Sequence, residues 1–442
     1  MRIVVGAEEG RRTVLQRRPL AETEVPPAAR ELTRRVFSAD LSPGEAVARI
    51  IADVRAEGDA AVLRYSRAFE GAAPASLALS HEETAAAYNA VDPQLLEALR
   101  FAAARIRSFH ELQMKHCQQG FSRDGLGMRV RPIERVGMYA AGSAVVYPSS
   151  ILMTVLPAKV AGVGEVYVTT PPGPDGRVSP LKLVAADIAG VDAVFCAGGA
   201  QAVAAMAFGT QTIPRVDKIC GPGNLFVTLA KQQLFGTVGI DAMYGPTETV
   251  IVADGSADAA LCAADLLAQA EHDAMARPVL LTPSLPFAKA VEEEIERQLA
   301  KIERSEVARA ALANGGAVVN DGLEEALALA NEFAPEHLCL LARHAGRWVE
   351  HVRNAGGLFV GESSPEAMGD YTAGPSHVMP TGGSARYSSP LNVLDFLKIT
   401  NVVEVGDDAL RELGPAAAAI ARAEGLTAHA RAIEMRLKKM ER

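Results

Sequence analysis

Ala193-Val194-Phe195-Cys196-Ala197-Gly198-Gly199-Ala200-Gln201 and, further on, Val216-Asp217-Lys218-Ile219-Cys220-Gly221-Pro222-Gly223-Asn224 decide the fold. Each is a short apolar run that stops at glycine and gives way to a helical pattern, 200–208 in the first case and up to Phe235 in the second. Strand, glycine turn, helix, strand is the mark of a parallel sheet wound on both faces. The alternation extends backwards. Residues 150–161 predict a helix, 165–170 a buried strand closed by Pro171-Pro172-Gly173, and 179–189 a further helix. Residues 129–139 predict the strand before them. Ligands of such sheets gather at the carboxyl ends of the strands, where Gly198-Gly199 and Gly221-Pro222-Gly223 lie.

A second alternation begins near Gly245. It predicts strands at 249–253, 279–282, 316–319, 338–341 and 358–360, with helices at 257–272, 286–304 and 323–333. On the amino side, residues 1–40 read as a polar, arginine-rich arm and first helix. Residues 44–69 and 82–115 carry apolar positions at helical spacing, among them Ala46, Ile50, Ile51, Val54 and Val62. The tail from Leu391 offers one strand (400–405) and two short helices split by Gly425, too little for a core of its own. The expected fold class is therefore α/β. It has two doubly wound, incomplete Rossmann-like parallel-sheet domains, 31–135 with 246–390 and an inserted 136–245. An arm (1–30) and a tail (391–442) flank them.

Bulk composition bounds the function. The chain has 442 residues, 49% hydrophobic and 22% charged, with a net charge of −9. Acids and bases are interspersed, which argues against a nucleic-acid surface. No secretory h-region opens the chain. The longest apolar stretch, 150–163, is broken by Pro157 and Lys159, so no membrane span is expected. Five cysteines without a Cys-x-x-Cys pair suit a reduced, cytoplasmic protein.

Four polar clusters carry chemistry. Gln269-Ala270-Glu271-His272 ends an apolar helix, and residues three apart share a helix face. An amide oxygen and an imidazole on one face suit zinc or another borderline metal. A solvated helix end accounts for that pair alone equally well. Pro335-Glu336-His337 sets acid beside imidazole, a proton-transfer pairing or a solvated loop. Asp370 and His377 share a glycine-rich loop, where the aspartate could complete a metal shell. Glu424 and His429 flank the start of the last helix. No Gly-x-Gly-x-x-Gly follows a strand, so a nicotinamide cofactor finds no support from that fingerprint. Gly221-Pro222-Gly223-Asn224 is either a tight turn or a place where a ligand approaches the backbone.

Taken in order, Gly245-Pro246-Thr247-Glu248, Gln269-Ala270-Glu271-His272, Phe333-Ala334-Pro335-Glu336-His337-Leu338, Gly369-Asp370-Tyr371, His377 and Glu424-Gly425-Leu426-Thr427-Ala428-His429 closely resemble the histidinol dehydrogenases. Upstream, Val136-Gly137-Met138-Tyr139, Gly198-Gly199-Ala200-Gln201-Ala202 and Gly221-Pro222-Gly223-Asn224 resemble them too. The resemblance implies a zinc-dependent, NAD-linked enzyme of histidine biosynthesis that oxidises L-histidinol through L-histidinal to L-histidine. By position it implies one zinc per subunit on Gln269, His272, Asp370 and His429, which would also touch substrate. Glu336 and His337 would be the proton-transfer pair, with His337 also contacting substrate. Thr247, His377 and Glu424 would be further substrate contacts, and Tyr139, Gln201 and Asn224 NAD contacts. It also implies a homodimer in which the tail reaches into the partner's site. Two departures stand out: Thr247 replaces a serine, and Ala140-Ala141-Gly142-Ser143 replaces a proline-glycine-glycine turn. The rival readings are a dehydrogenase on the same scaffold for another polar alcohol, such as a sulfonated diol, and a zinc hydrolase without nicotinamide. The full set of His377, Glu424 and Asp370 weighs against the first.

Overall fold

The computed structural model describes residues 1–17, 27–71, 73–117, 120–142 and 146–441. The chain forms two compact units, Met1–Lys115 with Ile133–Phe396, and His116–Pro132 with Leu397–Arg442. The first holds residues 136–245 and 246–390 and most of 31–135, while 116–132 fall in the second. Strands are numbered along the chain.

The larger sheet of the first unit is parallel, in the order β1 (Ile3–Val5), β11 (Gly316–Val319), β10 (Arg277–Thr282), β9 (Glu248–Ala253), β12 (His337–Leu341) and β13 (Gly357–Val360). β9 reads Glu-Thr-Val-Ile-Val-Ala and is buried at every position. Branched residues on both faces suit a parallel strand covered on both sides. Successive side chains alternate between the two cores. Ile251 packs with the helices Ala259–Ala270 and Leu285–Leu299. Val250 and Val252 pack on the other side with the helix Leu323–Phe333.

The second sheet runs β6 (Ala193–Cys196), β5 (Glu165–Thr170), β4 (Arg135–Tyr139), β7 (Lys218–Cys220) and β8 (Gly239–Ile240), again parallel. The helix after β6, Gly199–Phe208, is built largely of alanine and is buried from Ala200 to Ala207. A helix apolar all round needs cover all round. The sheet supplies one side, and the helices Pro43–Glu57 and Asp59–Glu70 supply the other through Val47, Ile50, Val54 and Val62.

The second unit contains an antiparallel sheet, β14 (Leu397–Val403), β3 (Leu126–Pro132) and β2 (Phe121–Arg123). Its paired helices are Asp407–Ala423 and Thr427–Met440. They share a small cluster of Ala418, Ala421, Ala430 and Ile433.

Several expectations change. Ile3–Val5, at the start of the expected arm, is the edge strand of the larger sheet, while residues 18–26 of the arm lie outside the described residues. The helical stretch 44–69 breaks at Gly58, whose φ of +61° suits glycine. The single strand expected over 129–139 is two, β3 and β4, in different units. The tail helices run to 17 and 14 residues, longer than expected. Val393 and Phe396, fully buried, belong to the first unit, so the tail's share of the second unit starts at Leu397, whereas the expected tail started at Leu391. Among the described residues, no helix is long and apolar enough to cross a membrane.

Candidate active site

The larger sheet presents polar residues at the amino ends of β9 and β12, opposite to the carboxyl-end placement expected of the other sheet. Thr247 precedes β9, Glu336 precedes β12, and His337 is the first residue of β12. Glu336 Oε2 accepts the Thr247 hydroxyl at 2.7 Å and the Glu248 N–H at 3.1 Å. The same hydroxyl lies 3.1 Å from Gln269 Oε1, linking the acid to a candidate metal ligand. Burial pushes Glu336 up to about 7, against the pull of His337, Thr247 and the Glu248 N–H. His337 Nδ1 is 3.3 Å from the Glu248 carbonyl, and its ring stacks on Phe359 at 5.9 Å. A proton on Nδ1 leaves Nε2 for chemistry. That Nε2 is buried with no hydrogen-bond partner and lies 3.8 Å from Asp370 Oδ1. Burial disfavours the imidazolium, but Glu336 foremost, then Asp370 and Glu366, outweigh it and raise His337 to about 10. Glu248 itself is held by Arg17, which pairs with both carboxylate oxygens and lies 3.9 Å over the Phe333 ring.

Asp370 lies on the short helix Glu366–Tyr371, not in the loop expected of its glycine-rich surroundings. His377 Nδ1 is 2.9 Å from the Asp370 carbonyl and 4.0 Å from its Oδ1. Its Nε2 is 3.3 Å from Ser150 Oγ, on the helix that follows β4. Burial would raise Asp370, yet His337, His377 and His272 together hold it below the usual carboxylate range. His272 also departs from expectation. The helix stops at Ala270, and His272 sits in the turn beyond it, its N–H bonded to the Gln269 carbonyl at 3.2 Å. The three-residue spacing therefore acts through a tightened last turn. Gln269 is buried and His272 half-buried. Among the described residues, no three His, Cys, Asp or Glu side chains already surround one point. The donor types nevertheless fit a divalent ion, since a carboxylate kept ionised stands among imidazoles beside a buried amide oxygen.

At the smaller sheet, Tyr139 ends β4 and its hydroxyl oxygen accepts the Gly199 N–H at 3.0 Å. Gln201 is 1% exposed, and neither atom of its amide has a partner. Asn224 caps the helix Leu225–Leu234, its Oδ1 accepting the N–H groups of Phe226 and Val227. Gly221, at φ +107°, brings the turn against the Tyr139 carbonyl, where a side chain would collide. Gly142, in the departing loop, is held through its carbonyl by the buried Lys182 ammonium; Ser143 lies outside the described residues.

The family model for histidinol dehydrogenase matches residues 34–437. The chain belongs to the histidinol dehydrogenase family. The histidinol dehydrogenase of Deinococcus radiodurans is 49% identical over 99% of this chain and 100% of its own length. That of Thermus thermophilus is 50% identical over 91% of this chain and 97% of its own length. The crystal structure of histidinol dehydrogenase from Elizabethkingia anophelis superposes with a TM-score of 0.89 at 32% identity, covering 100% of this chain and 99% of that one. Membership makes the chain an oxidoreductase of histidine biosynthesis.

In this member of the family, the first unit brings together Thr247, Gln269, Glu336, His337, Asp370 and His377, with His272 acting on Asp370 electrostatically. Glu424 and His429 belong to the second unit, at the junction of its two helices, and both are exposed. The Thr247 departure keeps the hydroxyl, and the hydroxyl is in use on Glu336.

Sequence reasoning missed Ser150 and a pair of acids, one half-buried and one fully buried. Asp265 stands one turn before Gln269 and Glu366 one turn before Asp370, on helices that pack together. Glu366 is fully buried; Oε1 takes the Thr249 hydroxyl and the Cys339 thiol, while Oε2 has no partner. The i, i+4 spacing to each candidate ligand was a visible signal. Burial, then the charge of Glu366, raises Asp265 to about 7. A carboxyl raised on folding contributes stability that is full below its unfolded value and is lost as pH climbs through 7. Asp265→Asn removes this loss, so the variant should gain about 1–2 kcal/mol on the parent between pH 4 and pH 8, allowing for partial exposure. Thermal melts at both pH values check it; a constant gap between the proteins would contradict the burial argument.

Four cysteines, Cys196, Cys220, Cys262 and Cys339, are buried and reduced. Cys220, nearest the cofactor-like turn, is fully buried, and burial followed by Asp241 raises its thiol well above the usual range. A thiol acts as the thiolate. Cys220→Ser should therefore keep oxidation of histidinal within about threefold. A hundredfold loss, about 2.7 kcal/mol, in a folded, metal-loaded variant would establish a thiohemiacetal route instead.

Proposed function

We propose that the chain catalyses the zinc-dependent, NAD-linked oxidation of L-histidinol through L-histidinal to L-histidine. The observation that carries this reading is the convergence of Thr247, Gln269, Glu336, His337, Asp370 and His377 at the amino ends of β9 and β12. Gln269, His272 and Asp370 would hold the metal with His429, and Thr247, His377 and Glu424 would contact substrate. When bound, zinc supplies the positive charge that orients the substrate's imidazole and amine, and NAD⁺ supplies the hydride acceptor for each oxidation.

The chain's own residues move the protons. With Asp370 drawn to a bound cation and Glu336 protonated, the two carboxylates that favour a proton on His337 would be neutralised and the imidazole left neutral. His337 Nε2 then takes the hydroxyl proton of histidinol, with Nδ1–H steadied by the Glu248 carbonyl. The aldehyde must next gain water. Glu336, held by Thr247 and raised by burial toward neutrality, sits on the threshold between acid and base needed to take that water's proton. Loss of hydride from the hydrate leaves the carboxylate, so one water is consumed per substrate.

Mixing protein with histidinol and NAD⁺ and following NADH absorbance tests the whole reading. Two NADH per histidinol, with histidine formed, is expected. A single NADH, or none, would overturn it. On the family resemblance that includes Glu424 and His429, we also propose a homodimer whose active sites each draw on two chains. Inactive His337→Ala and inactive His429→Ala subunits, exchanged to form heterodimers, should recover activity at one site in each; no recovery after proven exchange would exclude a shared site.

A further inference from the structure

The turn Gly198-Gly199 gathers polar groups that the reaction above leaves unused. It follows β6, at the carboxyl end of the smaller sheet, and opens the helix Gly199–Phe208. Two side chains press on it from different sides. The Glu70 carboxylate packs so closely on Gly198 that any side chain there would strike Glu70 Oε1 and Pro171. The Gln201 amide folds back over Gly199, whose φ is +60°. Tyr139 meets the same glycine from β4 through its hydroxyl. Glu70 Oε2 is buried with no hydrogen-bond partner, and so are both amide atoms of Gln201. Buried polar atoms without partners cost free energy unless a ligand satisfies them. Here three such atoms flank one glycine turn.

Glu70 is not explained as half of a structural ion pair. The nearest cation, Lys182, spends its ammonium on the Gly142 carbonyl and on Thr170 Oγ1 at 2.7 Å. It is not within ion-pair distance of Glu70 among the described residues. Burial raises Glu70 to about 8 against the pull of Lys182 and the Ser66 hydroxyl, and lowers Lys182 to about 8, so further donors brought by a ligand would draw the acid into its ionised form. A carboxylate with a free oxygen needs O–H or N–H donors. Dinucleotide folds meet this need with a ribose diol, bound by an acid that normally follows the glycine fingerprint within the same βαβ unit. This chain lacks the fingerprint, and the acid arrives from the helix Asp59–Glu70 instead.

Accepting the NAD-linked reading above, on which this rests, we infer that Glu70 accepts the hydroxyls of the adenosine ribose of NAD⁺, with the Gln201 amide as its partner across the Gly198-Gly199 turn. The adenosine half is assigned by position. The reacting site is touched by Ser150, on the helix Pro148–Ala161 that follows β4 in the chain. The Glu70 turn follows β6, two strands away in the order β6-β5-β4, or about 10 Å at ordinary strand spacing. A 2′-phosphate at that ribose would face the carboxylate, so the same residue disfavours the phosphorylated dinucleotide.

Calorimetric titration of NAD⁺ and of 2′-deoxy-NAD⁺ into the wild-type enzyme and Glu70→Gln tests the inference, alongside steady-state kinetics. Wild type should bind 2′-deoxy-NAD⁺ about tenfold more weakly than NAD⁺, the loss of one hydrogen bond to a charged group. Glu70→Gln should raise the KM for NAD⁺ by about tenfold but not that for histidinol, and should narrow the gap between the two dinucleotides. The ratio of kcat/KM for NADP⁺ over NAD⁺ should rise as well. Equal wild-type affinity for NAD⁺ and its 2′-deoxy form overturns the inference without any variant. So does an unchanged KM for NAD⁺ in a folded Glu70→Gln. Wild type that neither binds nor reduces NAD⁺ sinks the NAD-linked reading itself, a separate and distinguishable result.

Discussion

His337→Ala should lower kcat for histidinol oxidation by about 10²–10⁴-fold, the usual worth of a positioned general base. The geometry leaves one nitrogen for the task. Nδ1 faces the Glu248 carbonyl at 3.3 Å, and Phe359 stacks on the ring, so the imidazole cannot swing to exchange its nitrogens without breaking both contacts. Arg17 in turn fixes Glu248. Nε2 is the buried, partnerless atom aimed at the carboxylate of Asp370. His337 is not among the proposed metal ligands, so the variant should keep its metal, and its loss should fall on kcat more than on KM for histidinol. Its residual rate should rise with pH, because hydroxide or solvent must then remove the alcohol proton. Stopped-flow NADH formation with metal analysis of the same sample decides it. A loss under tenfold in a metal-replete variant would mean that the proton leaves by another route.

The sequence made the sheets legible and the site only in part. β9 is a run of branched apolar residues buried at all six positions, and such a run has few alternatives to a central parallel strand. The alanine-rich helix after Gly199 was equally plain. Helix ends were not. Nothing in Gln269-Ala270-Glu271-His272 marks a stop at Ala270, since no glycine or proline intervenes, yet the helix ends there and His272 falls in the turn. Asp370 lies in a helix of six residues, too short to show periodicity among glycines. Half-buried Glu70 and Asp265 and fully buried Glu366 differ in environment in a way that the sequence does not show. Only the fold shows that Glu366 is enclosed while most other acids face water. Glu424 and His429 showed in the sequence as a polar cluster, but their roles came from family resemblance, and their exposed positions at a helix junction carry no local sign of chemistry.

His272→Asn should lose most of its zinc, with affinity falling by at least the roughly hundredfold seen for outer-shell changes at metal sites, and activity should fall with it. The fold should survive. His272 is half-buried in a turn, outside the apolar clusters on either face of the larger sheet. Those clusters hold none of the proposed ligands, so the sheet does not depend on a metal to form. Treatment of the wild type with a chelator should likewise abolish activity reversibly and leave the circular dichroism unchanged. Asp370 provides an independent readout. Its carboxylate is kept ionised by His337, His377 and His272 together, so removing one imidazole weakens that field. The metal that remains in His272→Asn should therefore be released at a higher pH than in the parent, as protons compete for a less stabilised carboxylate. Metal analysis after dialysis across a pH series measures both effects. Full zinc occupancy in a folded His272→Asn, or a release curve that does not move, would remove His272 from the ligand set and leave the turn beyond Ala270 without a role in the site.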